Sequence, residues 1–276
     1  MPFGITKNTN SYILGNYTGD TNSAISGTNI GVSPNPLKFL DGGQYNTHIG
    51  GDTEYSITNN FETTLLGYAS SGRNFSVVVG AFSYTNGVGN TYIGTSVGDS
   101  NSGGGYNQTV IGFDSEATGN SNSIRLGNAD ITLLECEAPL TVTSDIRIKK
   151  NIQDNNLGLE FISRLRPVRY QKVNPKDYPK ELLEKRFTRD KNKADRPEDN
   201  LEVYDGLIAQ EVEQTLKDLD VQWSGHNVNP ANSKQSLDYA TLTIPLINSI
   251  KTLKSQIEQL TQRIENLTQR IEQLEN

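Results

Sequence analysis

From residue 250 onward apolar residues return at alternating intervals of three and four: Ile250, Leu253, Ile257, Leu260, Ile264, Leu267, Ile271 and Leu274. That is a heptad with Ile at each a position and Leu at each d. TQRIENL and TQRIEQL are consecutive near-copies, and the b, c and f positions are polar. The pattern predicts a helix whose apolar stripe packs on other helices, a parallel coiled coil over 243–276. Taken alone, Ile at a with Leu at d favours two strands. A coil this short, fused to a larger assembly, takes its strand number from that assembly.

The first half has another rhythm. A β-prone pair followed by glycine recurs at Ile13-Leu14-Gly15, Asn29-Ile30-Gly31, His48-Ile49-Gly50, Leu65-Leu66-Gly67, Val78-Val79-Gly80, Tyr92-Ile93-Gly94, Val110-Ile111-Gly112 and Arg125-Leu126-Gly127. The glycines lie 16, 19, 17, 13, 14, 18 and 15 residues apart. Turn formers such as Thr85-Asn86-Gly87 and Thr118-Gly119-Asn120 fill the gaps. Short strands at a repeating interval predict a solenoid or β-roll. Pro34 and Pro36 cannot donate to a ladder, so residues 32–46 read as a loop or insertion. Each repeat offers only two or three apolar side chains, against about 1–2 kcal/mol per residue for ordering the backbone. Chains associating around a shared axis, with inward Ile and Leu forming one column, would meet that cost.

The spacing, and the phrasing of Ile93-Gly94-Thr95-Ser96, resemble the head repeats of trimeric autotransporter adhesins; related rolls occur in phage fibres. The resemblance covers about residues 12–128. It implies left-handed parallel β-roll-like repeats assembled as a homotrimer.

Composition sharpens the division. Residues 1–143 hold 22 of the 25 glycines and carry 4 Lys/Arg against 11 Asp/Glu; residues 144–276 carry 21 of each sign. The whole net charge of −7 therefore sits in the first half. An acidic balance argues against nucleic acid as a partner. No apolar run is long enough to insert in a membrane, and the N-terminus lacks the features of a secretory leader. Cys136 is the single cysteine and His48 and His226 are the two histidines, so neither a disulfide within the chain nor a standard zinc site is expected. No metal and no cofactor is expected. Cys136 reads as a small buried residue beside Leu133 and Leu134. The Lys/Arg-rich run 180–196 alternates with acids and reads as a solvated face. Trp223 and His226 read as packing or loop.

The junction run Ser144-Asp145-Ile146-Arg147-Ile148-Lys149-Lys150-Asn151-Ile152 reads by itself as a short amphipathic strand. Three further runs follow it: FISRLRPVRY at 161–170, YDGLIAQEVE at 204–213 and LDYATLTIPLI at 237–247. Their order and spacing resemble the C-terminal intramolecular chaperone domain of phage endosialidases, tail fibres and neck appendages. The same domain occurs in a eukaryotic membrane-bound transcription factor family, which the absence of an apolar span disfavours.

The resemblance implies that residues 144–276 trimerise the β-rich fibre before them and then release themselves by self-cleavage at a serine. The family's serine and lysine fall on Ser144 and Lys149, used as a dyad; Asp145 and Arg147 match the motif as supporting residues. A serine hydroxyl needs a base, and a lysine serves once burial lowers its pKa. Five is an odd spacing, so a straight strand points the two side chains to opposite faces, and a helix sets them about 140° apart. The dyad therefore needs a bend, or a lysine from a neighbouring chain.

The expected fold is a mainly β N-terminal half plus an α+β chaperone domain ending in a coiled coil. The expected domains are an attachment segment (1–11), a Gly-rich β-repeat fibre (12–143), the chaperone (144–242) and the coil (243–276). The expected function is a phage tail fibre or appendage that contacts the host surface, made in the host cytoplasm and carried on the virion. It is expected to have no external substrate. The expected partners are two further copies, other tail or baseplate proteins, and a host glycan or receptor, the last stacked on turn aromatics Tyr17, Tyr45, Tyr55, Tyr84 and Tyr106. The alternatives are a fragment of a glycan-depolymerising tailspike and a cellular trimeric adhesin.

Overall fold

The computed structural model describes residues 5–8, 11–14, 29–32, 44–52, 61–99, 104–117, 119–184, 187, 201–229 and 232–275. Contacts divide the chain into two compact units. The first is Met1–Glu135 with Val173–Glu198 and Asn229–Ser233; the second is Cys136–Lys172 with Asp199–Val228 and Lys234–Asn276.

The first unit is a parallel β-solenoid. Its main sheet runs β1 (Ile5–Asn8), β2 (Ser11–Leu14), β3 (Ile30–Val32), β4 (Thr47–Ile49), β5 (Thr64–Leu66), β6 (Val77–Val79), β7 (Thr91–Ile93), β9 (Gln108–Ile111) and β11 (Ser123–Leu126). Only the β1–β2 pair is antiparallel; the rest form one parallel ladder. A second, narrower ladder joins β8 (Gly98–Asp99) to β10 (Glu116–Ala117), extended by bridges through Ser71 and Tyr84.

Each three-residue strand buries its middle residue. His48, Leu65, Val78, Tyr92 and Val110 stack in register and are buried. With Val97 and Ala117 the apolar members form one continuous core, each large side chain contributing roughly 1.5–3 kcal/mol. The chain thus has a core of its own, one residue wide. The column that the sequence suggested would face partner chains lies one position later: Ile49, Ile93, Ile111 and Leu126 are exposed.

A polar ladder runs beside that core. The residue four before each turn glycine is polar and, from Asn46 to Gln108, buried. Asn29 Oδ1 accepts from Asn46 N at 3.0 Å, Asn46 Oδ1 from Thr63 N at 3.0 Å, Ser76 Oγ from Asn90 N at 3.2 Å, and Asn90 Oδ1 from Gln108 N at 2.8 Å. Side chains satisfy the backbone of the next coil, so a chain of only 34% hydrophobic composition still closes its interior.

The glycines that follow β4, β5, β6 and β7 are required by close approach. Gly80 has φ +133, and a Cβ there would overlap the carbonyl of Gly94 in the next coil. Two further corners per coil use left-handed backbone on ordinary residues. Tyr45, Glu62, Phe75, Asn107 and Asn122 stand five before their glycine, and Asp52, Ala69, Phe82, Ser96 and Asp114 two after it. Nothing in the composition marks these positions.

Gly31 corrects the sequence reading. It pairs with Ile13 and His48, at the buried centre of β3, and Val32 is the residue aligned with Ile49. The loop assigned to 32–46 is also narrower than expected: Val32 ends β3, and Gln44 bridges Phe61. The prolines lie outside the described residues.

The second unit is α+β. Its helices are α1 (Leu159–Arg164), α2 (Ala209–Asp218) and α3 (Thr243–Glu275), with hairpin pairs β12 (Val168–Gln171) with β13 (Val203–Gly206) and β14 (His226–Val228) with β15 (Gln235–Leu237). Leu157, Phe161, Val212, Leu216 and Trp223 form its core, with the Phe161 and Trp223 rings 5.7 Å apart. Helix α3 runs 33 residues, and all eight of its a and d side chains from Ile250 to Leu274 are exposed. Among the described residues no helix is long and apolar enough to cross a membrane.

Candidate functional site

After β11 the chain runs without helix or strand as far as Asp145. Leu133, Leu134, Leu140 and Val142 are all exposed, the last at 89%. Cys136 is exposed as well, against the expectation of a buried residue: its neighbours along the chain, residues 131–143, are exposed and belong to no helix or strand.

Residues 144–149 are a turn rather than the amphipathic strand that their alternation suggests. Ile146–Ile148 form a single 3₁₀ turn. Asp145 caps it, its carboxylate accepting from Arg147 N at 2.8 Å. The Arg147 guanidinium closes on the same carboxylate through Nε at 3.0 Å and Nη2 at 2.6 Å. The Arg147 side chain, and then its backbone N–H, hold the Asp145 carboxyl below its ordinary value. The turn closes with Lys149 N donating to Ile146 O at 3.1 Å. Folding six residues over one turn supplies the bend that the spacing demands. Lys149 Nζ donates to Ser144 Oγ at 2.7 Å. Ser144, Asp145, Arg147 and Lys149 are thus brought together from one segment, and both Ser144 and Lys149 are exposed. The contact orients the hydroxyl. A lysine accepts a proton readily only when it loses water.

The other runs of the unit hold one another. Arg166 of the first pairs with Glu211 of the second, and Arg169 with Asp205 at 3.0 Å. Tyr170 stacks on Tyr204 at 5.8 Å. Tyr239 of the third accepts from Leu207 N at 2.8 Å. Asn248 Nδ2 donates to Asn155 O and Leu157 O, both at 2.9 Å, fastening α3 to the stretch that precedes α1. These contacts hold the three runs to one another. Trp223 belongs to the core, and His226 meets Gln235 at 3.1 Å.

Of the aromatic turn positions, Tyr45 and Tyr106 are exposed. Tyr84 sits in the second ladder, over Gly98. Tyr17 and Tyr55 lie outside the described residues. Tyr68, Phe75, Phe82 and Phe113 are exposed and were missed; their corners are legible only once the coil register is known. In the run 180–196 Glu184 is buried, not solvated, and pairs with Arg125 at 2.8 Å. Among the described residues no group of three or more His, Cys, Asp or Glu is placed to hold a metal.

The sequence pattern of the family described as chaperone of endosialidase matches residues 144–220, beginning at Ser144 itself. A comparison with curated proteins finds no match.

Proposed function

We propose, from a C-terminal segment that matches the endosialidase chaperone family, that this chain is a homotrimeric phage tail fibre or appendage protein that carries its own trimerisation chaperone. Residues 12–143 form the fibre and contact a host glycan or receptor. Residues 144–242 are the chaperone, 243–276 its coil, and residues 1–11 attach to other tail or baseplate proteins. The observation that carries the reading is the Ser144–Lys149 contact at 2.7 Å, set in a capped turn where the family match begins.

Three apolar surfaces exposed among the described residues support association of like chains. One is the ridge of Ile49, Ile93, Ile111 and Leu126 on the roll; the second is the a/d stripe of α3; the third is Leu140, Val142, Ile146, Ile148 and Ile152 around the dyad. Covering the third surface also removes water from Lys149. Chemistry is thereby tied to assembly: the dyad is shielded from water when neighbouring chains close over it.

Within one chain, Ser144 Oγ attacks the carbonyl of Thr143 through a five-membered ring. Lys149 takes the hydroxyl proton, the new ester forms as the Thr143–Ser144 amide breaks, and the freed amine of Ser144 takes up a proton. Water then hydrolyses the ester. Attack from a neighbouring chain reaches the Ser144–Asp145 bond instead; the family match, which begins at Ser144, supports the choice of serine and not the choice of side. Intact mass of the purified protein tests the reading. Two pieces of roughly 15 kDa each, near-equal in residue count, support it. A chain that stays at 30.4 kDa after complete folding contradicts it.

A further inference from the structure

The last strand of a parallel ladder has an open edge, and open edges invite other chains. Here that strand is β11, and among the described residues only β9 pairs with it. The buried column that reads Leu65, Val78, Tyr92 and Val110 ends at Arg125. A guanidinium at the end of an apolar column needs acceptors close by. Arg125 Nε donates to Gly127 O at 3.1 Å, and Nη2 donates to Glu184 Oε1 at 2.8 Å. The same carboxylate oxygen accepts from Ala129 N at 3.2 Å, just past the strand. The side chain of Glu184 keeps 9% of its exposure and that of Arg125 26%.

Glu184 comes from the far side of Ser144 in sequence. It lies on the excursion between β12 and β13, inside the family-matched segment, yet residues 173–198 group with the roll rather than with the strands that flank them. We propose that Glu184 is a latch. The excursion caps the finished roll through Arg125 and the amide of Ala129, and it retains the C-terminal piece on the roll after the cut at Ser144. The retention half rests on the self-cleavage reading above; the capping half does not.

Two donors converge on one carboxylate oxygen only when Arg125 and the 127–129 turn are both in their folded places. Docking therefore reports that the last coil is complete. Once the chain is cut, non-covalent contacts alone hold the two pieces, and Glu184–Arg125 is a largely buried ion pair among them. Removing one partner leaves the other charge without its counter-ion, which is the costly way to break such a pair.

Hydrogen exchange on the full-length chain tests the cap. A Ser144→Ala background keeps the chain in one piece, so the result does not depend on cleavage. In Glu184→Ala the amides of residues 123–129 should exchange about tenfold faster than in the parent. Asp205→Asn, which breaks the exposed pair with Arg169, should leave them unchanged. Equal protection of 123–129 in Glu184→Ala and the parent overturns the cap, and so does loss of that protection in Asp205→Asn. Retention is tested by size-exclusion of the self-cleaved protein at rising salt. The two pieces should co-elute at low salt and separate at lower salt in Glu184→Gln than in wild type. Identical elution of the two overturns the retention half. If no cleavage occurs, the self-cleavage reading and with it the retention half fall, while the exchange result still decides the cap.

Discussion

Lys149 lies five residues after Ser144, yet its Nζ rests 2.7 Å from the serine Oγ. One 3₁₀ turn brings them together, and the Asp145 cap with its Arg147 clamp holds that turn. The serine hydroxyl, the lysine amine and the two residues that hold the turn between them all come from one six-residue segment.

If this pair cuts the chain, Ser144→Ala should abolish cleavage, because the nucleophile is gone. Lys149→Ala should abolish or strongly slow it, and Lys150→Ala should matter little. Both blocked variants should still assemble, since folding precedes the cut. Denaturing gels of the wild type and three variants read this directly. Cleavage surviving in Lys149→Ala would remove the lysine from the mechanism.

Asp145 and Arg147 should act through the turn. Asp145→Ala removes the cap and should slow cleavage by about fivefold, with assembly unaffected. The Asp145 carboxyl titrates below its usual 3.8, chiefly because the Arg147 side chain bonds the ionised form. Its contribution is therefore whole above about 4 and fades only as pH falls through the lowered value. The amide signals of residues 145–149 should hold from pH 8 to 5, an experimental range on the plateau of that contribution. Loss of the turn near neutral pH would contradict this assignment.

The glycines of the roll are not equivalent. Gly89 has φ +69 with nothing within 4 Å of an added Cβ, so Gly89→Ala meets only left-handed strain. It should cost about 1 kcal/mol and lower Tm by about 2–4 °C. Gly80→Ala meets the Gly94 carbonyl as well and should lower Tm several times further, or prevent folding. Equal melting shifts would mean that coils are not stacked at this spacing.

Helix α3 should be a partner surface. Leu260→Lys with Ile264→Lys places charges at a d and an a position that are exposed in the single chain. The single chain should tolerate them, and association should drop by about tenfold or more. Light scattering of a Ser144→Ala chain with and without the pair measures it; unchanged mass would exclude α3 from the interface.

Much of this architecture is written in the chain. The heptad from Ile250 to Leu274 and the glycines after β4, β5, β6, β7, β9 and β11 are periodic signals, and periodic signals survive without tertiary knowledge. Gly31 shows the limit: it follows an apolar residue as a turn glycine does, and only pairing with Ile13 and His48 reveals a strand centre. Left-handed Phe75 and Phe82 carry no local mark, because hydrogen bonds from adjacent coils impose their backbone. Ser144 and Lys149 were legible as a pair from resemblance, whereas their meeting depends on a 3₁₀ turn that the Ile146/Ile148 alternation disguises as a strand. Glu184 was hidden by its neighbours, since a charged run reads as solvated until one member is found buried. Arg125 stands where earlier coils place Leu65, Val78, Tyr92 and Val110, and only the strand register shows it there.

Native mass spectrometry of the wild-type chain tests the central claim most directly, because one spectrum reports both assembly and cutting. A self-cleaving trimerisation chaperone predicts complexes of three N-terminal pieces of roughly 15 kDa, with or without their C-terminal partners. A single uncut species at 30.4 kDa, from protein shown to be folded, would contradict it.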